Sequence, residues 1–202
     1  MCENLSPKQR IRLWNIISRK DRALFKLECC RHILDLTQKW KRAKTQTAAY
    51  RFKVELAVDC LLAEIISAKD SLLQEINDRL SLGLPPKAVN NNSIDKALKE
   101  VKKIDRTQRA EFLQDIWDMR HKNWLWRLNE YRNMAVHRSP LNFTPAFTFG
   151  EANGLRFQGI LLRPVADDPD PREREVFKFL SNSLKQMSEM VEAIEKKLDL
   201  MT

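Results

Sequence analysis

The sequence predicts a mainly α fold, an antiparallel helical bundle with a β-hairpin inserted before the last long helix. Only four glycines occur among 202 residues, which leaves little room for tight turns. Apolar residues recur at three- and four-residue steps along several long stretches, the spacing of amphipathic helices. One segment around Asn153-Gly154 differs, since it pairs a strong hairpin turn with flanking apolar residues. Residues 1–202 are enough to form one domain with a substantial core.

Composition narrows the class of protein. No apolar run approaches the roughly 20 residues of a membrane span, and the amino terminus lacks the pattern of a signal peptide, so we expect a cytoplasmic protein without membrane contact. The cysteines form no C-x-x-C pair, and no histidine stands at zinc-site spacing from them. They are therefore interpreted as buried or half-buried free thiols, and no metal or other cofactor is expected. These cysteines are Cys2, Cys29, Cys30 and Cys60.

Positive charge is concentrated in the first quarter of the chain. Residues 1–53 contain 14 Lys and Arg against 4 Asp and Glu, whereas the remaining residues contain 22 against 23. A surface of this kind attracts phosphate backbones or acidic partners. The alternative is a solvated basic helix face without a partner.

The first helical run begins at Ser6-Pro7, a favourable N-cap followed by proline. Its apolar stripe starts with Ile11, Trp14 and Ile17 and continues, after a break near Asp21, to the basic cluster at residues 39–44. Trp40 within that cluster either anchors the helix end or stacks on a nucleobase.

Further helices follow in order. The second covers residues 46–82 and is expected to stop at Gly83. Ser93 is predicted to begin a short helix that continues to about Ile104. Another run starts after Asp105 and ends at Ser139-Pro140.

The last third of the chain combines a hairpin with a long helix. Residues 146–163 are predicted to form the hairpin, and an acidic, proline-rich linker then leads to a helix over residues 172–200. This helix carries a heptad seam, whose partner is either the same bundle or a second copy of the chain. The seam consists of Leu180, Leu184, Met187, Val191, Ile194 and Leu198.

The stretch that concentrates usable chemistry is EYRNMAVHRSP, residues 130–140. His137 can exchange a proton near neutral pH, Arg132 can stabilise the charge of a phosphoryl transition state, and Asn133 can orient either one. These residue types suit metal-independent RNA cleavage by attack of a ribose 2′-hydroxyl. Chance alone gives roughly 0.02 matches to this R-N-x-x-x-H pattern in such a chain, so the pattern is informative.

Geometry adds a condition to this hypothesis. A five-residue step separates two side chains by about 140° around an ideal helix, so Arg132 and His137 do not share a face of a regular helix. Either the helix changes its winding near Pro140 or the site forms between two subunits. As a third interpretation, both side chains only cap carbonyls at a helix end.

The stretch Arg132-Asn133-Met134-Ala135-Val136-His137 resembles the R-x(4–6)-H motif of HEPN domains. The resemblance implies a small helical bundle that dimerises across the motif, and many such proteins are metal-independent endoribonucleases of toxin–antitoxin and antiviral defence systems. It further implies catalytic roles for Arg132 and His137 from both subunits, with Asn133 positioning them. RNA and a second copy of the chain are then the expected partners, together with an antitoxin or regulatory protein.

Four basic residues are the candidates for binding substrate: Arg138, Lys39, Lys41 and Arg42. The alternative to a nuclease is a non-catalytic helical module that binds RNA or a protein through the basic amino-terminal quarter. A further interpretation is a purely structural dimer that is held by the heptad seam.

Overall fold

The computed structural model describes residues 21–41, 48–100, 106–118, 124–137, 143–150, 154–168 and 174–201, together with positions 7, 11, 14, 170 and 172. Six α-helices, three strands and a short 3₁₀ helix (Pro86–Ala88) are described in these ranges: α1 (Arg22–Lys41), α2 (Ala48–Arg79), α3 (Asn91–Glu100), α4 (Arg106–Asp118), α5 (Trp124–His137), β1 (Phe143–Gly150), β2 (Gly154–Leu162), β3 (Arg174–Glu175) and α6 (Val176–Met201). The predicted mainly α fold with a hairpin before the last long helix is confirmed.

Helices α1, α2 and α6 pack along one another and form the centre of the bundle. Asp21, where the sequence predicted a break, caps α1, because its Oδ1 accepts a hydrogen bond from Leu24 N at 2.8 Å. Salt bridges and hydrogen bonds tie the three helices together, including Lys26 to Glu64 at 3.1 Å. None of the described helices is long and apolar enough to cross a membrane.

The end of α2 differs from the prediction. Ser81 N donates to Asp78 O at 3.2 Å and Leu82 N donates to Asn77 O at 2.9 Å, the hydrogen-bond pattern of a Schellman motif. Ser81 supplies the left-handed residue, with φ of 51°, so the helix has already closed before Gly83. Local sequence favoured the glycine, but the motif forms two residues earlier.

One further boundary is corrected. Helix α3 begins at Asn91 rather than at Ser93, because Asn90 Oδ1 accepts hydrogen bonds from the backbone N–H groups of Asn92 and Ser93 at 2.9 and 3.1 Å. Within the run predicted after Asp105, residues 106–118 form α4 and residues 124–137 form α5, and the continuity of the run stays a prediction because residues 119–123 lie outside the described residues.

The hairpin is longer than predicted and belongs to a three-stranded sheet of order β1-β2-β3. Strands β1 and β2 are antiparallel and end at the pair Gly150 and Gly154, while the predicted turn at residues 151–153 lies outside the described residues. Residues 174–175, predicted to be helical, instead form β3. Helix α6 therefore starts at Val176, where Glu175 Oε2 accepts a hydrogen bond from Lys178 N at 2.5 Å.

The heptad seam of α6 lies inside the bundle. Leu184, Met187 and Val191 are 4%, 0% and 0% exposed and belong to the main core cluster. The seam is thus satisfied within the chain, and the interpretation of a dimer held by these residues is wrong. That residues 1–202 form a single domain stays a prediction.

Two expectations about burial are also wrong. Ile11 and Trp14, assigned to an apolar stripe, are 63% and 71% exposed. Cys60 is exposed, whereas Cys30 is buried and Cys29 is partly buried, and these three are free thiols as expected. Cys2 lies outside the described residues.

Candidate active site

Helix α5 carries the motif and is held in the bundle by its apolar face. Leu125, Leu128 and Tyr131 are 3%, 0% and 1% exposed, and their three-residue spacing places them on one side of the helix. Helix α5 packs against α2 and α6. This burial fixes which side of α5 faces outward immediately before Arg132.

Tyr131 anchors the helix at the point where the motif begins. Its ring packs edge-on against Phe179 with the ring centroids 5.4 Å apart, and its hydroxyl donates to Arg163 O at 2.9 Å. Burial raises the pKa of Tyr131 above its ordinary value of 10.0, although Arg174 opposes the shift. The hydroxyl therefore stays protonated and remains a hydrogen-bond donor at neutral pH.

A buried charged network fixes the same helix one turn earlier. The Asp168 side chain is 1% exposed, and its Oδ1 accepts hydrogen bonds from Arg127 Nε and Asp170 N, both at 2.9 Å. Its Oδ2 lies 3.0 Å from Arg174 Nη1 in an ion pair. A carboxylate held at this depth requires its partners, because an unpaired buried charge is strongly unfavourable. The network connects α5 to the segment that enters α6.

The motif side chains begin on the next residue. Arg132 and Asn133 are both partly buried, and Arg132 Nη1 donates to Asn133 Oδ1 at 3.3 Å. The asparagine amide, which was predicted to position the arginine, therefore contacts the guanidinium directly. His137 is the last residue of α5, and its side chain lies outside the described residues.

The predicted substrate-binding residues lie mostly outside the described part of the structure. Lys39 and Lys41 are in the last turn of α1, with side chains that are not described. Arg42 and Arg138 lie outside the described residues altogether. Of the seven predicted site residues, the structure brings Arg132 and Asn133 together by direct contact.

One group of carboxylates among the described residues could hold a cation. Ligand atoms of Asp21, Glu75 and Glu195 lie within 4.8 Å of one another, beside a cavity of about 530 Å³. Burial, a hydrogen bond with Asp21 and the neighbouring acidic charges raise the pKa of Glu195 from 4.5 to about 8. The group connects the start of α1 with the carboxyl-terminal ends of α2 and α6.

The comparison with protein families decides the assignment. The model of the Cthe2314-like HEPN domains matches residues 33–200, which is most of the chain. The chain belongs to the HEPN family. Comparisons with curated proteins and with solved structures give no match. The HEPN model includes α2 to α6 and the motif helix, so the resemblance first seen in six residues extends over the bundle.

Sequence reasoning missed the network that fixes the HEPN motif helix. Asp168 was interpreted as part of an acidic linker, and its arginine partners lie 41 residues before it and six residues after it. Neither spacing is a recognised pattern. The alternation of acids, prolines and arginines after Leu162 was the available signal, but it does not specify a partner on α5.

Proposed function

We propose that this HEPN protein is a homodimeric endoribonuclease that cleaves RNA without a metal ion, with Arg132 and His137 as its catalytic residues. The observation that supports the proposal best is the complete R-N-x-x-x-H motif on the last two turns of α5, with the Arg132 guanidinium in contact with the Asn133 amide. Tyr131 and Asp168 fix the helix that carries the motif. A rigid support of this kind suits a catalytic site, because the rate depends on how accurately the catalytic side chains are held relative to the substrate.

The regular winding of α5 favours a site that is shared by two subunits. The helix continues through position 137, so positions 132 and 137 lie about 140° apart around the helix axis of one chain. A second copy that packs across the motif would bring an arginine of one subunit to a histidine of the other. We therefore propose a composite cleft with both residues supplied twice.

The chemistry follows from the residue types. The 2′-hydroxyl of a ribose attacks the adjacent phosphorus, the bond to the 5′-oxygen of the next nucleotide breaks, and a 2′,3′-cyclic phosphate and a 5′-hydroxyl result. One His137 imidazole accepts the 2′-hydroxyl proton, and the other, protonated, donates a proton to the leaving oxygen. Arg132 stabilises the additional negative charge on the phosphoryl oxygens, and Asn133 restricts the guanidinium to one orientation.

A nuclease of this kind requires control. We propose a cytoplasmic toxin or antiviral defence setting, with an antitoxin or regulatory protein that holds the enzyme inactive. Lys39, Lys41, Arg42 and Arg138 are proposed to bind the RNA backbone, because Lys and Arg supply most phosphate contacts in such complexes.

The test is cleavage of a mixed RNA pool in EDTA by wild type, Arg132→Ala and His137→Ala at matched dimer fraction. Wild type is expected to leave 2′,3′-cyclic phosphate ends, and each variant is expected to lose at least about 100-fold in rate. His32→Ala is the control, since His32 is exposed on α1, and it should cut like wild type. Equal cleavage by all four proteins would overturn the proposal.

Mixing the two inactive variants tests the shared cleft. A heterodimer of Arg132→Ala with His137→Ala retains one arginine and one histidine on opposite subunits. Cleavage should rise above that of either variant alone but stay below wild type, because one of the two proton-transferring histidines is missing. If both residues act within one chain, the mixture stays inactive.

A second candidate is a non-catalytic module that binds RNA or protein, which the positive charge of residues 1–53 favours. Such a module keeps its affinity in His137→Ala and loses it when Lys39, Lys41 and Arg42 are neutralised. Wild type would then leave the RNA pool intact.

A further inference from the structure

The amino-terminal end of α2 displays two apolar side chains beside the exposed Lys53, one turn before the exposed carboxylate of Asp59. Phe52 and Leu56 are 66% and 53% exposed and stand four residues apart on one face of the helix. Lys53 next to them is also exposed, and Arg51 precedes Phe52 in the sequence. We call Phe52, Lys53 and Leu56 the α2 platform. An aromatic ring displayed beside lysine is a feature of single-stranded nucleic-acid binding surfaces.

Contacts along the bundle place this platform at one particular end. At the other end, Asp21 begins α1, and its carboxylate lies within 4.8 Å of those of Glu75 and Glu195. Arg79 Nη2 donates to Asp199 Oδ1 at 2.7 Å there as well. That end therefore holds the start of α1 and the carboxyl-terminal ends of α2 and α6.

Contacts in the middle of the bundle confirm that α1 runs antiparallel to α2 and α6. Lys26 on α1 pairs with Glu64 on α2, and Arg31 Nη2 donates to Ser188 Oγ on α6 at 2.7 Å. At 1.5 Å per residue, the last turn of α1 lies about 12–15 Å further along than Arg31. The carboxyl-terminal end of α1 therefore lies beside the amino-terminal ends of α2 and α6. Lys39 and Lys41 consequently share an end of the bundle with the α2 platform.

The motif lies at this same end. Tyr131, the residue before Arg132, packs on Phe179 in the first turn of α6. Lys178, beside Phe179, is exposed and adds a further cation. The amino-terminal end of α2, the carboxyl-terminal end of α1 and the motif of α5 thus lie at the same end of the bundle, while the carboxylate group lies at the opposite end.

We propose that the α2 platform binds single-stranded RNA, with a base stacked on Phe52 and a phosphate paired with Lys53, and that this RNA continues toward Arg132. The proposal rests on the nuclease function in its second part alone, because binding at the platform requires no cleavage. Charge complementarity favours this occupant, because Lys53, Lys178 and the lysines in the last turn of α1 lie at the same end of the bundle. Stacking requires unpaired bases, so duplex RNA does not fit the same contact.

The experiment measures fluorescence anisotropy of a labelled, mixed-sequence single-stranded RNA on the His137→Ala protein, which keeps the RNA intact. Adding Phe52→Ala is expected to weaken binding about 5- to 100-fold, and Phe52→Trp is expected to restore it. Lys53→Gln should reduce the slope of log K against log salt by about 0.7. Leu200→Ala is the matched control, because Leu200 is 81% exposed at the opposite end of the bundle.

The outcomes separate this proposal from the nuclease. Loss of binding in Phe52→Ala supports the platform even if wild type cuts no RNA, in which case only the catalytic proposal falls. Cleavage by wild type with unchanged binding in Phe52→Ala overturns the platform and leaves the nuclease standing. Equal weakening of duplex binding refutes stacking. A Phe52→Ala variant that changes the dimer fraction but not the affinity identifies the face as an interface between copies.

Discussion

Replacing Glu195 by glutamine should change how the stability of this protein depends on pH. The carboxyl group packs against Asp21 and Glu75, and its Oε1 is shielded from solvent and has no hydrogen-bond partner among the described residues. Burial and the acidic neighbours raise the pKa of Glu195 from 4.5 to about 8. The folded protein therefore retains a proton that the unfolded chain releases.

The sign of the effect follows from this difference. Between pH 4.5 and about 8 the folded state binds more protons at Glu195 than the unfolded state, so the free energy of unfolding falls as pH rises through this interval. The stabilisation is fully present below the unfolded pKa and is lost above the folded pKa. Glutamine is neutral throughout and resembles the protonated acid in shape.

Screening by solvent reduces the expected difference in the free energy of unfolding. The full interval corresponds to about 5 kcal/mol at about 1.36 kcal/mol per pH unit. Glu195 is only partly buried and lines a cavity of about 530 Å³, so water and ions screen much of this. We expect Glu195→Gln to equal wild type near pH 5 and to exceed its free energy of unfolding by roughly 2 kcal/mol near pH 8.5.

Urea denaturation at fixed protein concentration, followed by circular dichroism across this pH range, measures the difference. Glu192→Gln is the matched control, since Glu192 is exposed one turn earlier on α6, and its pH profile should run parallel to that of wild type. If Glu195→Gln also runs parallel to wild type, Glu195 does not retain a proton in the folded state and the reasoning fails.

Three further changes test the packing that supports the site. Tyr131→Phe removes the partly buried hydrogen bond to Arg163 O, so urea denaturation should show a loss of about 1 kcal/mol. No loss would mean that water replaces the hydroxyl. Asp168→Asn leaves two arginines without their carboxylate and should lower the free energy of unfolding by about 3–5 kcal/mol. The control Asp115→Asn breaks a more exposed pair with a lysine of α6 and should cost less than about 1 kcal/mol. Similar losses in both variants would contradict the importance of the Asp168 network. The Met187 side chain is buried within the chain, so Met187→Ala should lower the free energy of unfolding by about 2–5 kcal/mol in urea denaturation. Ultracentrifugation should show the same dimer fraction as wild type. A shift to monomer would show that the heptad seam contributes to the dimer interface.

The sequence by itself determined the helical class, the hairpin and the location of the motif. Each depends on neighbours within a few residues: the helical spacing of apolar side chains, the Asn153-Gly154 turn and the six residues from Arg132 to His137. Helix boundaries were less certain, because several nearby residues can cap an end. Asn90 and Ser81 took roles that Ser93 and Gly83 had been assigned.

Only the tertiary structure decided which distant residues meet. It placed the α6 seam inside the chain, paired Asp168 with Arg127 across 41 positions, and brought Asp21 to Glu195. It also put the basic end of α1 and the exposed ring of Phe52 at the end of the bundle that holds the motif. The spacing of apolar residues predicts that a residue is buried but does not identify the element it packs against, because many packing arrangements bury the same apolar stripe. The choice among them depends on the simultaneous fit of all the helices, which no local pattern contains.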